Sequence, residues 1–349
     1  MSTFKKHLII SGSLIREALI QLDKLASDAI LFVIDEENKL IGSLTDGDIR
    51  RGLIKGHTIN DQINIIIQPN PRFIRKGDSD IEKVILFREM QFRIIPIIDI
   101  ENRVINVINF REIKSYLPID VVIMAGGKGQ RLLPLTEQTP KPMLKVGEKP
   151  IIEHNIDRLA LFGIDDFWIS INYLGDQIKS YFDDGSNKNI CINYINEEKP
   201  LGTIGSVSNI KNFKHDYVLI TNSDILTNID YEHFFLDFIN QNADLSIATI
   251  QYNVSIPYAV LDTDKGQVRS FSEKPTYTYY SNGGIYLIKK YLLSHIPPNK
   301  YFDATDLISK FLKLNLKVYS YPLTEYWLDI GNHDDYAKAL KDINNLNFR

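Results

Sequence analysis

Three cations, Lys128, Arg131 and Lys141, stand close to a cluster of glycines, Gly126, Gly127 and Gly129, in one segment running from Val121 to Met143. Glycines permit a tight backbone path that aims amide N–H groups at phosphate oxygens, and nearby ammonium and guanidinium groups add mobile positive charge. The chemistry such a segment suits is the holding of polyphosphate. Two familiar phosphate loops are excluded by spacing. A Walker loop needs Ser or Thr after its lysine, and Gly129 follows Lys128. The dinucleotide fingerprint needs a third glycine where Leu132 stands.

The elements that must position these groups alternate. Strand patterns at 119–125, 167–171, 190–195 and 217–221 are separated by helix patterns near 150–162, 175–182 and 203–210. That alternation predicts a doubly wound α/β sheet, whose ligands lie at the carboxyl ends of its strands. The glycine loop and Asn222-Ser-Asp224 both fall at such ends.

Composition narrows the function. The chain has 349 residues, room for two domains, with 40 Lys plus Arg against 44 Asp plus Glu. No polybasic surface points to nucleic acid or an anionic membrane. A single cysteine, Cys191, excludes a disulfide framework and reads as core between apolar neighbours. The seven histidines lack metal-binding spacing and read as structural or surface groups. With no apolar run long enough for a signal peptide or a membrane helix, the expected location is the cytoplasm.

An internal repeat precedes the glycine loop. Ala29 to Ile49 recurs 64 residues on as Arg93 to Ile113. Each copy reads as strand, acidic turn, second strand and helix, with an amphipathic helix before the pair, near Ile15, Leu19 and Leu22 in the first. The repeat resembles a CBS-domain pair over residues 1–117, with copies at about 1–56 and 63–117, ahead of a second domain at 118–349. The resemblance implies an adenine nucleotide held through its ribose by Thr45 and Asp48, replaced by Asn109 and Glu112 in the second copy. It also implies a homo-oligomer. The competing reading is that Thr45 and Asp48 cap the following helix.

Gly-Gly-x-Gly-x-Arg-Leu followed by Pro140-Lys141-Pro142 resembles the sugar-nucleotide pyrophosphorylases, and further motifs follow in that family's order. The fold implied is an α/β, doubly wound mixed sheet of Rossmann-like nucleotidyltransferase type, preceded by the α+β CBS pair. The reaction implied joins a nucleoside triphosphate to a sugar 1-phosphate, giving a nucleotide sugar and pyrophosphate. By residue, the resemblance puts Ala125, Gly126, Gly127, Gly129, Glu197 and Gly202 against the nucleotide. Arg131, Lys141 and Asp224 act in catalysis, and Asp224 with Asp329 holds Mg²⁺. Tyr258, Ala259, Glu273, Lys274 and Asn282 bind the sugar, with Ala259 where the family usually has Gly. Glu153 positions the helix behind the loop.

A carboxylate at Glu197 can accept the adjacent N1–H and N2–H₂ donors of guanine, which favours GTP. A solvated Glu beside Glu198 and Lys199 is the bland alternative. A CBS pair fused ahead of the transferase looks like the bacterial group making GDP-sugars for surface glycans, from glucosamine 1-phosphate or mannose 1-phosphate. The rival readings are a thymidylyl-, uridylyl- or cytidylyltransferase of the same fold, and a nucleotide-sensing protein without catalysis.

Overall fold

The computed structural model describes residues 3–78 and 80–344. Residues 1, 2, 79 and 345–349 lie outside the described residues.

The repeat is carried through to backbone register. In the first unit the strands Ile30–Ile34 and Leu40–Thr45 pair with Ile30 opposite Thr45 and a bulge at Val33/Ile34. In the second, Ile94–Ile98 and Val104–Asn109 pair with Ile94 opposite Asn109 and a bulge at Ile97/Ile98. Asp35 and Asp99 each accept bonds from two backbone amides of their own turns, at 2.8–2.9 Å. The two turns then join reciprocally: the Leu40 amide donates to the Asn102 carbonyl, and the Val104 amide to the Asn38 carbonyl, both at 2.9 Å.

The units differ at their exits. The first closes with the helix Asp46–Ile54, as expected. The helix expected after the second pair is absent, and residues 110–113 form a turn. The Asn109 side chain accepts from the Arg111 amide at 3.1 Å, a local turn that competes with helix initiation. The chain then passes through Tyr116 and Leu117, both buried, into the next sheet.

That sheet has seven strands in the order 191–196, 166–171, 119–125, 217–222, 276–289, 245–255, 318–323. The first four run parallel, 276–289 lies antiparallel to both its neighbours, and 318–323 returns parallel to 245–255. Strand 119–125 is buried on both faces, which is why Val121 to Ala125 reads as an unbroken apolar run, and the buried Asp120 before it accepts from the His215 amide at 2.7 Å. Val121 and Ile123 pack with the helices Ile151–Leu161, Gly175–Phe182 and Tyr231–Asn240. Val122 packs in the core of the opposite face, with Val207 and Phe311. The element expected near 203–210 is a 3₁₀ stretch, Gly205–Asn209, in place of an α-helix.

Cys191 is exposed, contrary to the core placement expected for it. It opens an edge strand whose register sets it opposite Asp166 and turns Ile192 inward. Glu153 is buried and accepts from the Tyr181 hydroxyl and the Lys188 ammonium, both at 2.7 Å.

The second repeat unit packs on the amino ends of the parallel strands. Lys76 reaches across to Asp165 at 3.2 Å and Asp166 at 3.0 Å, and Arg88 pairs with Glu232 at 2.7 Å. Burial pushes the Asp166 carboxyl up, but His215, Lys76 and Lys214 around it win and hold it well below the usual carboxylate range. Asp165, Asp166 and His215 lie close enough together to hold a cation, and the Lys76 and Lys214 ammonium groups already fill that role.

Candidate functional site

The glycine loop leaves the carboxyl end of strand 119–125, where Ala125 is buried and Gly127 and Lys128 are exposed. Gly129 sits at φ +62°, and a Cβ there would come within 2.9 Å of side-chain carbons of Lys141 and Thr136. Only glycine fits this crossing. Thr136 locks the loop by donating its hydroxyl to the Gly129 carbonyl at 2.9 Å. The Gln130–Leu132 turn follows and brings the Arg131 guanidinium close to Gly331.

Asp224 comes just after strand 217–222. The short strands Ile225–Thr227 and Trp327–Asp329 pair with Ile225 opposite Asp329, and the Ile330 amide donates to the Asp224 carbonyl at 3.0 Å. Two carboxylates distant in sequence therefore stand side by side. Lys141, on the Pro140-Lys141-Pro142 turn, forms an ion pair with one oxygen of Asp224. The other Asp224 oxygen, Oδ1, and Oδ1 of Asp329 are buried without a hydrogen-bond partner. Burial, then the neighbouring Asp224 charge, push the Asp329 carboxyl above its usual range, against the pull of Lys141 and Arg131.

Paired carboxylates with unpartnered oxygens fit a hard divalent cation, since Mg²⁺ takes one or two carboxylates and keeps water and phosphate oxygens for its other positions. Asp224 and Asp329 are the residues that would hold it.

Between the glycine loop and Asp224 lies a cavity of about 380 Å³ lined by Gly126, Gly127, Lys141, Glu197, Gly202 and Asp224, among others. A second, of about 430 Å³, holds Asn282, Trp327 and Asp329, and shares Thr203, Asn222 and Tyr301 with the first. Glu197 is not a free surface side chain. Its Oε1 accepts from the Ser170 hydroxyl at 2.6 Å and its Oε2 from the Leu201 amide at 3.2 Å, which leaves lone pairs on both oxygens. The Asn282 amide donates to the Tyr286 hydroxyl at 2.7 Å.

Sequence reasoning missed Trp327, Tyr301 and Thr203 in these cavities, and placed Asn222 at the ligand end of its strand without a role. Trp327 had a signal, because period-2 alternation places it on the same face as Asp329.

Four expected sugar-site residues lie elsewhere. Tyr258, Ala259, Glu273 and Lys274 are exposed on a β-ribbon that continues strands 245–255 and 276–289 beyond the sheet, and none lines either cavity. The ribbon begins at a register shift between Ile247 and Thr249.

Thr45 and Asp48 form a capping box at the start of the helix Asp46–Ile54. Asp48 accepts from the Thr45 hydroxyl at 2.6 Å, the Thr45 amide at 2.9 Å and Gln68 at 2.7 Å, and it pairs with Arg51. Burial opposes ionisation there, but these bonds outweigh it and hold the carboxyl below its usual range.

Residues 120–345 match the Nucleotidyl transferase family, and residues 11–55 match the CBS domain. The chain is 30% identical over 232 residues to a mannose-1-phosphate guanylyltransferase of Mycobacterium tuberculosis, a match covering 64% of each chain. It therefore spans less than two thirds of that relative. It is 31% identical over 228 residues to the D-glycero-alpha-D-manno-heptose 1-phosphate guanylyltransferase of Aneurinibacillus thermoaerophilus, covering 64% of this chain and 98% of the other. Among solved structures, HddC from Yersinia pseudotuberculosis in complex with GMP-PN matches with a TM-score of 0.50 and 27% identity, over 64% of this chain and 99% of that one.

Proposed function

The chain belongs to the nucleotidyl transferase family, and on that premise we propose that it joins a nucleoside triphosphate to a sugar 1-phosphate, releasing pyrophosphate. The observation that carries this reading is the convergence of Lys141, Asp224 and Asp329 beside the glycine-loop cavity, with Arg131 at its edge.

A phosphate oxygen of the sugar 1-phosphate attacks the α-phosphorus of the triphosphate in line. The bond from that phosphorus to the oxygen bridging to the β-phosphate breaks, and pyrophosphate leaves. Catalysis is positioning and charge neutralisation. The backbone amides at Gly126, Gly127 and Gly129 cradle the phosphates. Arg131 meets the charge that builds on the departing pyrophosphate. Lys141, already held against Asp224, stays beside the reacting phosphates and offsets their repulsion. Bound at Asp224 and Asp329, Mg²⁺ supplies further charge neutralisation to the phosphate oxygens.

GTP is the proposed nucleotide. Glu197 lines the loop cavity with lone pairs to spare, and two relatives carry guanylyltransferase names. The proposed sugars are glucosamine 1-phosphate and mannose 1-phosphate, serving surface-glycan precursors. No helix among the described residues is long and apolar enough to cross a membrane, in keeping with a cytoplasmic enzyme. An adenine nucleotide on the CBS region is a regulatory proposal that requires Asp48 to exchange Gln68 and Arg51 for ribose hydroxyls.

The test is pyrophosphate release with Mg²⁺ across GTP, CTP, UTP, dTTP and ATP, each against glucosamine, mannose and glucose 1-phosphates. Release with GTP alone is expected. Release with another base would retain the reaction and discard the Glu197 argument, and the absence of release in all fifteen combinations would overturn the reading for these sugars.

A further inference from the structure

Ser170 places a hydroxyl in an apolar layer. Along strand 166–171, Phe167, Ile169 and Ile171 face the core under the helices, while Trp168 and Ser170 turn to the opposite face. There Val122, Ile204 and Val207 are at most 2% exposed, and Ser170 itself is fully buried. A hydroxyl without a partner is costly in such a layer, so its presence calls for a reason that an alanine would not.

The Ser170 Oγ stands 2.6 Å from Glu197 Oε1 and 2.8 Å from the Oγ of Ser206, which is also fully buried, on the 3₁₀ stretch Gly205–Asn209. A hydroxyl has one proton to give, and a carboxylate can only accept. The Ser170 proton therefore lies towards Glu197, and Ser206 donates to the Ser170 oxygen. Donation runs from Ser206 to Ser170 to Glu197, and each bond polarises the next. Glu197 lines the glycine-loop cavity and neither serine does.

The rest of Glu197 is held as closely. Its amide donates to the Ile171 carbonyl at 2.9 Å, its carbonyl accepts from the Asn172 side chain at 2.7 Å, and its Oε2 accepts from the Leu201 amide. A Cβ at Gly126 would stand 3.4 Å from Oε1, which sets the carboxylate against the glycine loop. A carboxylate offers about four lone-pair sites. Ser170 occupies one on Oε1 and the Leu201 amide one on Oε2, so each oxygen keeps one.

We infer that Ser170, backed by Ser206, is a specificity-determining positioning residue. It holds the Glu197 carboxylate in the orientation that accepts two adjacent N–H donors, so that the site selects guanine over purines that offer only one. The inference rests on the proposed transferase reading, in which Glu197 faces the base. Without the Ser170 bond the carboxylate turns about its last torsion, which has no sharp preference of its own. A loose carboxylate still meets one donor but no longer presents the fixed pair.

Hypoxanthine separates the two cases, since it keeps the N1–H of guanine and lacks the 2-amino group. Dissociation constants for GTP and ITP, with Mg²⁺ and no sugar, are measured by calorimetry on the full chain. The wild type is expected to favour GTP roughly tenfold or more. Ser170→Ala should cut that preference to about threefold or less, chiefly by weakening GTP. Ser206→Ala keeps the Ser170 hydroxyl but removes its donor; it should lower the preference about twofold, and it carries the test if the first variant does not fold. In a Glu197→Gln background, Ser170→Ala should move the ratio by less than about twofold, because Ser170 acts only through the carboxylate. A role in packing alone would weaken both nucleotides alike, in both backgrounds. A wild type that binds GTP no better than ITP, an unchanged ratio in Ser170→Ala, or an equal effect in both backgrounds would overturn the inference. Pyrophosphate release is scored separately, so the transferase reaction can stand while the positioning role falls.

Discussion

The unpartnered oxygens at Asp224 and Asp329 make one substitution diagnostic. Asp329→Asn removes a charge that burial and Asp224 both disfavour, and it introduces an amide donor beside the unpartnered Asp224 Oδ1. An unsatisfied buried polar group costs about 1–3 kcal/mol. Each kcal/mol moves the midpoint of a domain of this size by about 2–4 °C. The variant should therefore melt roughly 2–12 °C above wild type in EDTA, while its turnover collapses. The pH dependence has a definite sign. A carboxyl whose folded pKa is raised keeps its proton longer in the native state, so wild-type stability falls as pH rises from the ordinary carboxylate range through the raised value. The gap between variant and wild type should be small near pH 4 and widen towards neutrality. Scanning calorimetry across that range, with EDTA and then with Mg²⁺, measures it. Mg²⁺ should raise the wild-type midpoint and leave that of the variant in place. A variant melting below wild type in EDTA would refute the claim that the two acids repel each other and await a cation.

Other substitutions probe separate parts of the molecule. Gly129→Ala forces a side chain into a left-handed backbone against Lys141 and Thr136, and should cost about 1–2 kcal/mol in urea unfolding together with most of the activity; an unaffected enzyme would show that the crossing is not tight. Glu197→Gln should lower kcat/KM for GTP roughly tenfold or more while changing UTP little, and equal losses for both would remove base reading from Glu197. Lys76→Met leaves Asp165 without its cation and should destabilise the chain by up to about 3 kcal/mol in denaturant titration, with no change refuting the contact.

What the sequence made legible followed from local chemistry. The glycine loop could be read because Gly129 occupies a backbone region that other residues avoid. Strand 119–125 could be read because burial on both faces leaves Val121 to Ala125 without polar alternation. The duplication was visible down to the acidic turns, since Asp35 and Asp99 hold the same hydrogen bonds. Illegible features depended on distant parts of the chain. The second unit's missing helix reflects a local turn at Asn109 and a chain redirected towards Ile119. The outward face of Cys191 is fixed by strand parity at a sheet edge, which composition does not report. The motifs at Tyr258 and Glu273 do not reveal the exposed ribbon that carries them, which starts at a register shift between Ile247 and Thr249. Lys76 gave no sign that its partners lie about 90 positions away.

The seam at residues 110–118 decides how far the halves can be separated. Tyr116 and Leu117 belong to the same apolar core as Ile74 and Ile95 on one side and Phe162 on the other. A cut at Pro118 would leave hydrophobic scars on both fragments, and on the larger one Asp165 without its lysine, while Asp166 keeps Lys214. The chain is therefore not a catalytic module with a detachable accessory. Trimming it to residues 118–349 should yield protein that aggregates, and a soluble short form would need Phe162 and Asp165 redesigned for contact with water.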